Sequence, residues 1–135
     1  MRGQNTATGP TTVIIADRSP HFRETLRRVL CESSCAVIGE AGTLRDALRL
    51  ARTAGPEVVL LDVDLVMNQP ARRLRRMAEN LPGLTIVVLL NEDLPGYRRS
   101  IADRWGYDCV AKEHAETELP LTLPGREVSR GASRS

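Results

Sequence analysis

Val58-Val59-Leu60-Leu61-Asp62 decides the reading of this chain: four apolar residues in unbroken succession, closed by an acid. A run without polar alternation is what a strand covered on both faces requires, and such strands belong to parallel sheets with helices above and below. Gly55-Pro56 precedes it and stops any helix that comes before. The same grammar appears upstream, where Val13-Ile14-Ile15-Ala16 ends at Asp17. Two buried strands that each finish on an aspartate place both acids at one edge of a sheet.

Outward from these strands the alternation continues. Ser19 reads as a helix cap and Pro20 as the first helical residue, with Phe22, Leu26, Val29 and Leu30 at helical spacing. Ala36 to Gly39 reads as a strand, and Thr43 caps a helix that turns Leu44, Ala47, Leu48 and Ala51 inward. A third helix is predicted from Ala71 to Asn80, with Leu74 and Met77 inward and arginines outward, and a fourth strand from Thr85 to Leu90. Leu94 to Trp105 predicts a fourth helix, and Asp108 to Ala111 a short fifth strand before Lys112. Five such alternations imply an α/β fold, a doubly wound five-stranded parallel sheet with right-handed crossovers. Pro120 and Pro124 fall where a fifth helix needs unbroken backbone bonds, so that helix is expected to be short or missing.

With 135 residues, 41% of them hydrophobic, the chain fits one core. We expect a flexible segment over residues 1–11, a domain over 12–119, and a disordered basic tail over 120–135. No apolar run approaches the length that spans a bilayer, and Met1-Arg2-Gly3-Gln4-Asn5 lacks the apolar stretch of a signal peptide. A soluble, cytoplasmic protein with no membrane partner is the expectation. Cys31, Cys35 and Cys109 cannot all pair within one chain and form no C-x-x-C. They read as reduced thiols, with a Cys31–Cys35 redox switch as the alternative. Net charge is only +2, although Arg72, Arg73, Arg75 and Arg76 cluster in one stretch. That footprint is narrow for nucleic-acid binding and reads as a solvated helix face.

In open parallel sheets, ligands bind beyond the carboxyl ends of the strands. The residues there are Asp17 and Arg18, Asp62, Leu90 and Asn91, and Lys112. Two acids and a lysine at three strand ends are stronger evidence than any one of them, since a lone acid after a strand often only caps the next helix. An ordinary small α/β enzyme is not expected, because the chain has no G-x-S-x-G elbow, no phosphate-cradling glycine loop and no histidine beside a nucleophile. His21 and His114 read as a first-turn and a loop residue.

Ile15-Ala16-Asp17-Arg18-Ser19-Pro20-His21-Phe22-Arg23-Glu24, then Gly39-Glu40-Ala41, then Pro56-Glu57 through Asp62 resemble response-regulator receivers whose outputs are helix-turn-helix domains. The resemblance extends from about Thr12 to Lys112. It implies a domain that takes a phosphoryl group from a histidine kinase onto the aspartate ending the third strand, with magnesium assisting. Asp62 matches that acceptor, Asp17 the first of two metal-binding acids, and Lys112 the lysine that pairs with phosphoryl oxygens.

Departures from the family pattern are specific. Arg18 stands where the second acid belongs, and a guanidinium cannot ligate magnesium. Asp17, Arg18, Asp62 and Lys112 sum to zero charge, so any magnesium site at Asp17 and Asp62 is expected to be weak or lost, with no other cofactor. Arg18 is expected to substitute for the metal by bridging Asp17 and Asp62, or else to turn into solvent. Asp64, Glu92 or Asp93 are the candidates for restoring negative charge. Leu90 replaces the Ser or Thr whose hydroxyl engages the phosphoryl group, and Val66 lies in a loop where many members carry proline. Cys109 falls near the position of the family's switching aromatic residue. Tyr97, Trp105 and Tyr107 cluster near the fourth helix and fifth strand, where receivers dimerise, so a homodimer there and plain core packing are equal readings. Leu121 to Val128 faintly resembles the opening of a helix-turn-helix output domain.

The sequence reading is therefore an atypical receiver in two-component signal transduction. It acts mainly by contact with a histidine kinase, another regulator or itself, with magnesium-dependent phosphorylation at Asp62 impaired. The alternatives are a working phosphoacceptor in a phosphorelay, or a truncated helix-turn-helix transcriptional regulator without its DNA-binding domain.

Overall fold

Strands β1 (Thr11–Ala16), β2 (Cys35–Ala41), β3 (Val58–Asp62), β4 (Thr85–Leu90) and β5 (Asp108–Ala111) form one parallel sheet in the order β2-β1-β3-β4-β5. This is a computed structural model, and it describes residues 9–67, 69–81, 83–92 and 94–123. The helices are α1 (Pro20–Cys31), α2 (Leu44–Ala54), α3 (Ala71–Asn80), α4 (Pro95–Trp105) and α5 (Ala115–Thr122). A single helical turn, Val63–Val66, follows β3, and a 3₁₀ turn, Lys112–His114, leads into α5.

The strand order reverses between β1 and β3, the switch point where open α/β sheets bind ligands. Ala16 pairs with Leu61, which sets the next residues, Asp17 and Asp62, side by side. Leu90 pairs with Ala111, which brings Lys112 to the same edge.

β1, β3 and β4 bury both faces, as the unbroken apolar runs require, whereas the edge strand β2 is only half-buried and exposes Ile38. Ile14, Ala16, Leu61, Val88 and Leu90 pack on one side with Leu44, Ala47 and Ala51 of α2 and Ile101 of α4. Val13, Ile15, Leu60, Val87 and Leu89 pack on the other with Leu26, Val29 and Leu30 of α1 and with α5. Ser19 accepts the Phe22 N–H at 3.1 Å and Thr43 the Asp46 N–H at 3.1 Å, so both expected caps form. Gly55, with φ +61°, ends α2 in the left-handed conformation that glycine adopts without strain.

The structure adds detail to the sequence reading. β2 runs from Cys35 to Ala41, longer than expected, because a register skip between Val13 and Ile14 lets the strand pass Ile38 and pair on through Gly39. A Cβ at Gly39 would lie 3.3 Å from Leu50 Cδ1, so the bare backbone admits α2 closely. The fifth helix is present and short, with Pro120 inside it. Ala115, Leu119 and Leu123 recur every four residues and are all buried in the α1-side core, so tertiary packing outweighs the one backbone bond that proline removes. The expected domain boundary at residue 119 thus falls within α5. The side chains of Leu74, Met77, Tyr97 and Trp105, and residues 1–8 and 124–135, lie outside the described set. Among the described residues, no helix is long and apolar enough to cross a membrane.

α1 is tied to β2 by charge. Arg23 and Arg27, one turn apart, grip opposite oxygens of Glu40, with Arg23 Nε 3.0 Å from Oε1 and Arg27 Nε 2.9 Å from Oε2. The Arg27 hydrogen bond, with help from Arg23, holds the Glu40 carboxyl below its ordinary range despite the opposing effect of burial. A depressed carboxyl contributes stability above its unfolded-state range and loses it as pH falls through the folded value. Glu40→Gln is expected to cost about 1 kcal/mol at neutral pH, given partial exposure. Urea unfolding across a pH series should show that gap closing in acid, whereas a constant gap would assign the loss to packing.

Candidate functional site

Asp17 and Asp62 are almost completely buried, at 1% and 2% exposure, at the ends of β1 and β3. Each is fixed by a local turn. The Ser19 N–H donates to Asp17 Oδ1 at 2.8 Å, and the Asp64 N–H donates to Asp62 Oδ1 at 3.1 Å. Arg23 also donates to the Asp17 backbone carbonyl, so the clamp on Glu40 reaches the rim of the site.

Lys112 joins the two acids. Its Nζ lies 2.8 Å from Asp17 Oδ2 and 3.4 Å from Asp62 Oδ1. The Asp17 contact is an ion pair without the direction of a hydrogen bond, since Oδ2 is fully shielded and has no hydrogen-bond partner. The ammonium also sits 4.8 Å from the centroid of the Phe22 ring, so α1 supplies a cation–π face that fixes the lysine from a third side.

Arg18 does not make the expected bridge. Its Nη2 lies 3.2 Å from Asp64 Oδ2, and its side chain is 66% exposed. Arg18 follows a strand whose end is buried, so its long side chain runs outward along the rim and meets the acid that leaves β3 in the next turn. Asn91 Nδ2 donates to the same Asp64 oxygen at 3.0 Å. An exposed pair of this kind contributes at most about 1 kcal/mol, but it decides where the charges stand. Of the three acids considered for restoring negative charge, Asp64 is at the rim and already engaged. Glu92 is exposed, and Asp93 lies outside the described residues.

Burial pushes the Asp62 carboxyl up; the charges of Asp17 and Asp64 add to this, while the Asp64 N–H and Lys112 oppose it. The site thus holds a carboxylate with raised proton affinity beside an ammonium, the chemistry of a nucleophile with a charge partner.

Magnesium, which the receiver resemblance implies, prefers several oxygen ligands held together. The residues do not fit it. Asp17 and Asp62 share one ammonium, Asp64 is held by a guanidinium and an amide, and the place of a further acid is taken by Arg18. Among the described residues, no group of three or more His, Cys, Asp or Glu side chains is placed to hold a metal ion.

Leu90 is fully buried and belongs to the α2-side core with Leu61, Val63 and Val66. Cys109 is buried too, and burial raises its thiol. Arg98 of α4 donates to the Cys109 carbonyl at 3.1 Å and to Glu118 of α5 at 3.2 Å, locking α4, β5 and α5 together. Tyr107 is half-buried against the α2-side core, and burial raises its hydroxyl. Cys31 is exposed, Cys35 half-buried, and neither is in a disulfide.

Sequence reasoning identified Asp17, Asp62 and Lys112 as neighbours and the structure brings them together. It assigned Phe22 only to the core and gave Asn91 no role. Phe22 lies five residues after Asp17 on the first turn of α1, and Asn91 follows β4 directly, so strand-end position was the available signal for both.

Residues 13–123 match the family model described as "Response regulator receiver domain". Among curated proteins, the chain is 33% identical over 82 residues to protein-glutamate methylesterase/protein-glutamine glutaminase 3 of Hahella chejuensis, covering 61% of this chain and 24% of that protein. It is 33% identical over 86 residues to the transcriptional regulatory protein YxjL of Bacillus subtilis, covering 63% of this chain and 39% of that protein. The chain therefore spans well under half the length of these relatives. Among solved structures, the signal receiver domain of the response regulator NarL from Mycobacterium tuberculosis superposes with a TM-score of 0.71 at 24% identity, covering 93% of this chain and 98% of that one.

The raised Asp62 carboxyl carries a stability consequence. An acid whose folded value is raised favours the fold when protonated and costs stability as pH rises through that value. Asp62→Asn keeps the Oδ1 acceptor for the Asp64 N–H and removes the buried charge. Thermal unfolding should show a midpoint a few degrees above wild type at neutral pH, with the advantage shrinking in acid. A lower midpoint at neutral pH would mean that the Lys112 ion pair outweighs desolvation.

Proposed function

The chain belongs to the response-regulator receiver family, and from that premise we propose that it works in two-component signal transduction as an atypical receiver. It signals mainly by protein contact, with magnesium-dependent phosphorylation of Asp62 impaired. One observation carries this reading: Lys112 stands between Asp17 and Asp62 and offsets one of their two charges, while Arg18 and Asp64 form their own pair, so the pocket already holds two resident cations. A dication would have to compete with the resident ammonium for the same oxygens and approach past a guanidinium.

Leu90 supports the same reading from the other end. A phosphoryl group on Asp62 would meet no hydroxyl at the end of β4, and an apolar side chain already packed in the core gives that loop no reason to move inward. Output then depends on which partner occupies the surface, with a histidine kinase, another regulator or a second copy as the candidates. The α4-β5-α5 side, locked by Arg98, is the rigid face available for such contact. The methylesterase and transcriptional-regulator activities belong to relatives of which this chain covers only part.

Acetyl phosphate or beryllofluoride with magnesium tests the reading. Intact-mass and NMR measurements should show little Asp62 modification and no shift of α4, and stoichiometric modification with movement of α4 would instead establish a working phosphoacceptor. Arg18→Asp should release Asp64, restore an acid beside Asp17 and strengthen magnesium binding by about tenfold or more, roughly 1.4 kcal/mol. Isothermal titration of both proteins reads this directly. Tight magnesium uptake by the unmodified chain would defeat the proposal.

A further inference from the structure

Away from the phosphorylation edge, α2 and α3 flank a cleft of about 420 Å³. Arg52 enters it from α2, and Arg72, Arg73 and Arg76 from α3, above a floor that includes Leu48 and Leu81. The volume falls within the range of small-molecule sites, which typically combine an apolar floor with a few convergent polar groups. A separate, smaller hollow of about 240 Å³, also lined by Asn80 and Leu81, lies towards the amino-terminal edge of the sheet.

The charge is concentrated and uncompensated. α2 and α3 together carry +5, while the whole chain carries only +2, so everything outside these helices sums to −3. Among the described residues, Arg52, Arg72 and Arg76 have no ion-pair or hydrogen-bond partner, and Arg73 is held only by the neutral Gln69 Oε1 at 3.1 Å. Arg72 and Arg76 stand one helical turn apart with like charge, an arrangement that weakens an isolated helix. Four arginines from two helices thus line one hollow. An anion in that hollow would convert the repulsion into bidentate, charge-assisted hydrogen bonds, and the guanidinium planes and leucine floor would suit a flat ring.

We propose that the α2–α3 cleft is a binding site for a phosphorylated, ring-bearing metabolite of nucleotide size. Arg52, Arg72, Arg73 and Arg76 bind its phosphates, and Leu48 and Leu81 its ring. The site is independent of Asp62, so it stands or falls apart from the receiver chemistry, and it gives the domain a second chemical input.

The test is a fluorescence titration of the full chain with N-methylanthraniloyl-ATP in the absence of divalent cations, with unlabelled ATP, tripolyphosphate, an acidic peptide and duplex DNA as competitors. Saturable one-to-one binding is expected, weakened about tenfold or more by Arg52→Glu and by Arg76→Ala, partly retained in Arg76→Lys, and unchanged in Arg99→Ala on α4 and in Asp62→Asn. Circular dichroism melts of each variant confirm that the fold is kept, and excess ATP should raise the wild-type melting midpoint but not that of Arg52→Glu. ATP should compete better than tripolyphosphate. Absence of saturable binding, or binding indifferent to Arg52 and Arg76, overturns the proposal. Equal competition by tripolyphosphate overturns recognition of a ring, and tighter competition by the acidic peptide or DNA assigns the cleft to a macromolecule instead.

Discussion

One ammonium between two buried carboxylates organises the functional edge of this domain. Lys112 lies within 3.4 Å of both Asp17 and Asp62, and Phe22 covers it from α1. Removing two carboxylates from water is costly, and a single cation offsets only part of that cost, so Asp62 keeps a raised proton affinity. The sheet makes the arrangement possible: β1 and β3 are adjacent at the switch point, and β5 returns a lysine to the same edge.

The second charge pair follows from the first. With the lysine occupying the interior, an arginine after β1 has no buried partner to reach and lies along the rim, where Asp64 and Asn91 receive it. Acid and base have in effect exchanged places across the mouth of the pocket. The interior is closed by Leu90, which places hydrocarbon where a hydroxyl would answer a phosphoryl group. Electrostatics and packing therefore favour one resting arrangement, and the proposed signalling by contact draws on it.

Charge is also divided on a larger scale. The α2–α3 side gathers unpaired arginines around a cleft, whereas the rest of the chain sums to a net −3. Such a dipolar surface orients approaching partners and anions by field as well as by contact. The Asp17–Asp62 edge and the basic cleft lie in different parts of the fold and draw on different side chains.

Much of this was legible in the order of residues. Unbroken apolar runs ending at Asp17 and Asp62, the Ser19 and Thr43 caps and the Gly55-Pro56 stop determined the parallel sheet, its helices and the edge where chemistry gathers, because strand burial and helix capping are local properties of a few neighbouring residues. The sequence by itself also determined which ionisable groups meet there. Only the tertiary structure decided how they pair: Lys112 and not Arg18 bridges the acids, Phe22 and Asn91 complete the site, and Pro120 is carried inside α5 by Leu119 and its neighbours. The physical reason is reach. Partner choice among long charged side chains, and the packing that outweighs a proline, depend on distances between segments far apart in the chain, which no local pattern encodes.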